Sequence, residues 1–168
     1  MDADKCMLIA VDASEASDRA VAYVAHMMRG QQDLRVLLFH VPAPMPPELL
    51  EFGGRENPAA EEHTEAALHS AQAAWLEQVK QAAQPVFARA QTQLRQAAVA
   101  ESAVETQIAT PVSGEALHTT ILEAAQQAHC ETVVVGRAAF SWLQELVQSH
   151  LADTLLQQAK GCTLWIIQ

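Results

Sequence analysis

Four short segments hold the side chains with which this chain could do chemistry: Asp12 to Ser14, His40 to Pro42, Thr110 to Gly114 and Gly136 to Ser141. Each follows an apolar run, and an open α/β sheet collects its ligands just outside the carboxyl ends of its strands. Asp12 offers a carboxylate to a ribose hydroxyl or a metal ion, although an aspartate at such a turn serves equally as a helix-capping residue. Arg137 and His150 are cationic or able to become so, which suits an anionic ligand. Catalytic signatures are absent: there is no HExxH, no GxxxxGKS and no GxSxG elbow. His63 and His69 lie six apart on one helical stretch and face different sides, so they do not make a metal pair. Cys6, Cys130 and Cys162 are widely spaced, form no CxxC pair, and read as buried reduced thiols.

These segments need elements to position them, and hydrophobic patterning supplies an alternation. Strands are expected at 6–12, 34–41, 103–109, 132–136 and 162–167. The first and fourth are apolar without interruption, as parallel strands covered on both faces are. Ser14 is a helix N-cap candidate before Ala16 to Met28, where Ala20, Tyr23, Val24 and Met27 recur at helical spacing and Gly30 follows. A long helix is expected from Ala59 to Ala100, kinked or divided at Pro85, with Trp75, Val79 and Phe87 in the core. The run Glu61 to Glu65 reads as a solvated helix start. Further helices are expected over Gly114 to Ala128, with Leu117, Ile121, Leu122 and Ala125 inward, and over Trp142 to Ala159. The order β-α-β-α-β-α-β-α-β implies one open parallel five-stranded sheet with helices on both faces, a Rossmann-like α/β fold. Prolines 42, 44, 46 and 47 with Gly53 and Gly54 mark residues 42–60 as an irregular insertion within one domain spanning 1–168.

Composition narrows the function classes. Half of the 168 residues are hydrophobic, and no apolar run approaches the roughly 18 residues of a membrane span. The acidic start Met1-Asp2-Ala3-Asp4 lacks the basic region of a secretory signal, so a cytoplasmic location is expected. A formal charge of −10 opposes binding to nucleic acid and to bare anionic membrane.

Val11-Asp-Ala-Ser-Glu-Ala-Ser17 followed by an alanine-rich helix resembles the opening of the universal stress protein family, V-D-G-S-E-x-S. Phe39-His-Val41 is similar to that family's second strand, and Thr132 to Gly136 with a loop, a helix and a last strand resembles its closing third. The resemblance covers nearly the whole chain and implies the strand order 3-2-1-4-5. It also implies adenine-side contacts at Asp12 and Val41. Nucleotide-binding members continue as G-x-x-G, nine residues, then G-[ST]. Here Gly136 is retained, while Ala139, Ser149 and His150 stand at the other three positions, and Arg137 lies inside the loop. Glycines there let backbone N–H groups approach phosphate oxygens. An alanine held left-handed costs roughly 1–2 kcal/mol. Losing two charge-assisted contacts at about 1.5–3 kcal/mol each would lower affinity by about two to four orders of magnitude.

Two functional readings follow. The first is a non-catalytic stress-response adaptor that dimerises, meets protein partners, needs no cofactor, and binds ATP weakly or not at all. The second is an adenine-nucleotide sensor for ATP or AMP, in which Arg137 and His150 replace backbone contacts. An adenylating enzyme would want Ser-Gly-Gly-x-Asp-Ser or His-Ile-Gly-His after strand one, and Asp12 to Ser17 offers neither. The altered loop favours the adaptor. The last strand, with Thr163, Leu164, Trp165 and Ile166, carries no charge and no proline to protect an edge. The family resemblance implies a homodimer through it.

Overall fold

The computed structural model describes residues 5–31, 33–50, 58–110, 116–140 and 151–168, with backbone alone for 58–64. Five strands, β1 (Lys5–Ala10), β2 (Leu34–His40), β3 (Val104–Ile108), β4 (Thr132–Gly136) and β5 (Thr163–Ile167), form one sheet. All pairings are parallel and the order is β3-β2-β1-β4-β5, as expected. The most apolar runs take the middle of the sheet. Leu8, Ile9, Val36, Leu38, Val133, Val134 and Val135 are all fully enclosed. The polar run Glu105-Thr-Gln107 lies on an edge, where one side stays wet.

Among the described residues four helices, α1 (Glu15–Met27), α2 (Pro58–Gln96), α3 (Leu117–Gln127) and α4 (Leu151–Gln158), cover the sheet. Alternate strand residues point to opposite faces, and two apolar clusters result. Met7, Ile9, Val36, Leu38 and Val134 pack with α1 and α2, whereas Leu8, Leu37, Phe39, Val133 and Val135 pack with α3 and α4. Arg89 Nε meets Asp18 Oδ1 at 2.9 Å and clips α2 to α1.

Several expectations need correction. Tyr23 and Met27 do not face inward; they are 44% and 49% exposed, and α1 buries Ala16, Ala20, Val21, Val24 and Ala25 instead. The close approach of α1 to the sheet selects small and β-branched residues. Pro85 does not divide α2, which runs on through it. Gln81, whose carbonyl the missing Pro85 N–H leaves free, is exposed, so solvent can satisfy it. Phe87 is core as expected, but Trp75 and Val79 are only half-buried, and α2 contributes core residues only from Ala83 onward. Gln72 Nε2 donates to the Leu49 carbonyl at 2.7 Å and ties that part of the helix to a 3-10 turn at Pro47–Leu49.

The cysteines also differ from expectation. Cys6 and Cys130 are buried as expected but are joined in a disulfide across 124 residues, and only Cys162 is free. Adjacent parallel strands bring the two sulfurs together, a contact that linear spacing does not reveal.

Candidate functional site

At the carboxyl end of the sheet the chain leaves β1 through Val11, whose N–H donates to the Phe39 carbonyl at 2.8 Å. His40 Nδ1 donates to the Val11 carbonyl at 2.8 Å, so this turn is pinned from β2. Asp12 follows, 8% exposed. Its N–H donates to Ser17 Oγ at 3.0 Å, while Ser14 Oγ accepts the Ser17 N–H at 3.2 Å and caps α1. Ser14 is therefore the N-cap that its position predicts, and the Ser17 hydroxyl reaches back past it to the Asp12 N–H.

The Asp12 carboxylate is engaged at both oxygens. Oδ1 accepts the Ser14 N–H at 3.0 Å and also the Ser14 hydroxyl; Oδ2 accepts the Phe140 N–H at 2.5 Å. A carboxylate has about four acceptor directions, and three are filled from within the chain. Ser14 and Phe140 thus hold the residue that the resemblance assigns to the adenine side.

The loop after β4 has a different construction from the one expected. Gly136 is indispensable for packing: a Cβ there would lie 2.3 Å from the Ala16 carbonyl oxygen, in the first turn of α1. That helix–strand contact gives this glycine a packing role. Ala139 N–H donates to the Gly136 carbonyl at 3.1 Å, closing a turn, and Ala139 is buried. The left-handed residue is Phe140, at φ 60°, and not Ala139 as the resemblance suggests. A left-handed non-glycine costs roughly 1–2 kcal/mol, an amount that a charge-assisted hydrogen bond of about 1.5–3 kcal/mol to Asp12 can offset.

Phe140 is fully enclosed and shares an apolar cluster with Val41, Ala109, Leu117, Ala139 and Leu151. Val41 is therefore buried in the same apolar cluster as Phe140. Arg137 is exposed, and its N–H donates to the Ile167 carbonyl at 2.8 Å. Asp12, Val41, Gly136, Arg137 and Ala139 thus share one rim. Ser149, His150 and the stretch 111–115 lie outside the described residues. Sequence reasoning missed Phe140 and Ser17; a lone aromatic two residues before a tryptophan carries no periodic signal. Among the described residues no group of three or more His, Cys, Asp or Glu side chains could hold a metal ion.

The edge strand lies where expected. Thr163 N–H donates to the Glu131 carbonyl at 2.7 Å and the Ile167 carbonyl accepts from Arg137. Residues 163, 165 and 167 therefore bond toward β4, and the N–H and C=O of Leu164 and Ile166 point to the open edge. Leu164, Trp165 and Ile166 are half-buried, and the Trp165 ring meets Tyr23 edge-on at 5.9 Å.

A five-stranded parallel sheet in the order 3-2-1-4-5, with an aspartate in the turn after strand one and a glycine ending strand four, defines a Rossmann-like α/β protein of the type that binds ligands at its carboxyl rim. The model of the Universal stress protein family matches residues 5–168, and the chain belongs to that family. Among solved structures, a universal stress protein in complex with cAMP shares 12% identity at a TM-score of 0.59, covering 99% of this chain and 98% of that one. The Archaeoglobus fulgidus universal stress protein in complex with dAMP shares 15% at 0.56, covering 98% of each chain. A family protein from Arabidopsis thaliana with AMP bound shares 16% at 0.55, covering 97% of this chain and 90% of that one. At these identities the likeness establishes the fold. No curated protein sequence matches the chain. No helix among the described residues is long and apolar enough to cross a membrane.

Proposed function

We propose that this chain is a non-catalytic, dimeric adaptor of the cytoplasmic stress response, one domain over 1–168, whose rim binds adenine nucleotides weakly or not at all. The observation that carries the reading is the Asp12 carboxylate, three of whose acceptor directions are taken by Ser14 and Phe140. A nucleotide that used Asp12 would first have to displace the Phe140 N–H and leave it buried without a partner, at about 1–3 kcal/mol. Val41 is buried in the same apolar cluster as Phe140, so a base packed on Val41 would have to open that cluster. Dimerisation proceeds through Thr163, Leu164, Trp165 and Ile166, with the outward N–H and C=O groups of Leu164 and Ile166 pairing across a two-fold axis. Nucleic acid and membrane are not partners, in keeping with the charge of −10. Calorimetry with ATP and magnesium tests the ligand side, and light scattering tests the dimer.

A second reading, the nucleotide sensor, is favoured by the structural relatives in complex with cAMP, dAMP and AMP. In it, Arg137, exposed at the rim, supplies the anion contact together with His150, and the ligand opens the Asp12–Phe140 contact. Arg137→Ala would then abolish binding, and Ala139→Gly with Ser149→Gly would strengthen it. Nucleotide found by absorbance and mass in the purified protein would select this reading over the first.

A further inference from the structure

The three cysteines, far apart in sequence, converge at the opposite, amino-terminal end of the sheet. Cys6 is the second residue of β1, Cys130 precedes β4 by two residues, and Cys162 immediately precedes β5. The register sets Met7 beside Thr132 and Thr132 beside Thr163, so the segments run side by side in the order β1, β4, β5. The Thr163 N–H bond to the Glu131 carbonyl brings Cys162 alongside the neighbour of Cys130. All three side chains pack into the same apolar cluster, on the α3 and α4 side. Cys130, disulfide-bonded to Cys6, and Cys162, the free thiol, both line one groove of about 420 Å³. His118, Glu123 and Lys160 are the titratable groups on its other walls.

We propose that Cys162 and Cys130 form a thiol–disulfide exchange site, at which Cys162 displaces Cys6 from Cys130. The Cys162 thiolate attacks Cys130 Sγ, the Cys130–Cys162 bond forms and the Cys6–Cys130 bond breaks. Cys6 leaves with the electron pair and takes up a proton equivalent to the one Cys162 gave to water. One disulfide and one thiol stand on each side of the step, so no oxidant or reductant is consumed. Cys6 is then a buried thiol and behaves as a small hydrophobe. The exchange moves the cross-link from β1–β4 to β4–β5, onto the strand with the open edge. Burial holds the Cys162 thiol above its ordinary range, so the thiolate is scarce at neutral pH and exchange quickens as pH rises. This inference is independent of nucleotide binding.

Trypsin separates the three cysteines cleanly, into residues 6–19, 96–137 and 161–168. The wild-type chain is incubated at neutral and alkaline pH, quenched by alkylation and mapped without reduction. The site predicts a 96–137/161–168 cross-link within the monomer, growing at the expense of 6–19/96–137 and faster at alkaline pH. Cys162→Ser should keep the 6–19/96–137 link throughout. Cys6→Ser treated with oxidised glutathione should close Cys130–Cys162 and retain no glutathione. The proposal is overturned if wild type shows only the Cys6–Cys130 link with Cys162 alkylated at every pH. It also fails if the new link joins two chains, if Cys162→Ser loses its disulfide as fast as wild type, or if Cys6→Ser ends with two glutathione adducts or two free thiols.

Discussion

The Asp12 carboxylate accepts the backbone N–H of Phe140 at 2.5 Å, joining the end of the first strand to a residue 128 positions later. One contact thereby ties both walls of the rim, holds a left-handed aromatic residue in place, and occupies the side chain on which family-type adenine contacts would depend.

Asp12→Ala should destabilise the fold by about 2–3 kcal/mol, since it orphans the buried Phe140 N–H and removes the partner of Ser14. Asp12→Asn keeps one oxygen acceptor and should cost less. Urea denaturation of both variants checks the order; equal stability of Asp12→Ala and wild type would contradict it.

Gly136→Ala should cost about 1–3 kcal/mol, because the new Cβ falls 2.3 Å from backbone, which cannot rotate away as a side chain could. Denaturant midpoints measure this without any ligand. A neutral outcome would mean that α1 slides freely on β4.

Ile166→Pro removes an N–H that points to the open edge, while the bonds of 163, 165 and 167 to β4 remain. The expected result is a folded monomer by light scattering and circular dichroism. Trp165→Pro removes a donor facing β4 and should unfold the strand as well. A wild-type chain that is monomeric at micromolar concentration would refute dimerisation through β5.

Reduction of the Cys6–Cys130 disulfide should lower stability by about 2–4 kcal/mol, since it closes a long loop. The Cys162 thiol adds a pH dependence of its own. Its folded pKa is raised by burial, so the folded state holds its proton more tightly than the unfolded chain. The corresponding stability is present below the unfolded thiol pKa and is lost as pH rises toward the folded one. Thermal melts with and without reductant, at neutral and alkaline pH, separate the two effects.

The sheet is legible in the sequence because uninterrupted runs such as Cys6 to Val11 and Thr132 to Val135 suit only strands covered on both faces. Ser14 is legible as a cap because capping is local. The rim is only half legible. Asp12, Val41 and Gly136 are found by position, but the role of Phe140 depends on a hydrogen bond that spans the chain. Gly136 invites a phosphate reading until its distance to Ala16 is known. Tyr23 and Met27 share helical spacing with the buried face, and only the closeness of α1 to the sheet shows that Ala20 and Val21 take the interior. The Cys6–Cys130 bond is invisible to spacing rules because it joins neighbouring strands through a crossover.

Calorimetric titration of the purified chain with ATP and magnesium tests the occupied rim most directly. If the Ser14 and Phe140 contacts to Asp12 stand, the dissociation constant is micromolar or weaker. A sub-micromolar constant for the wild-type chain would contradict the proposal that its own loop holds the rim.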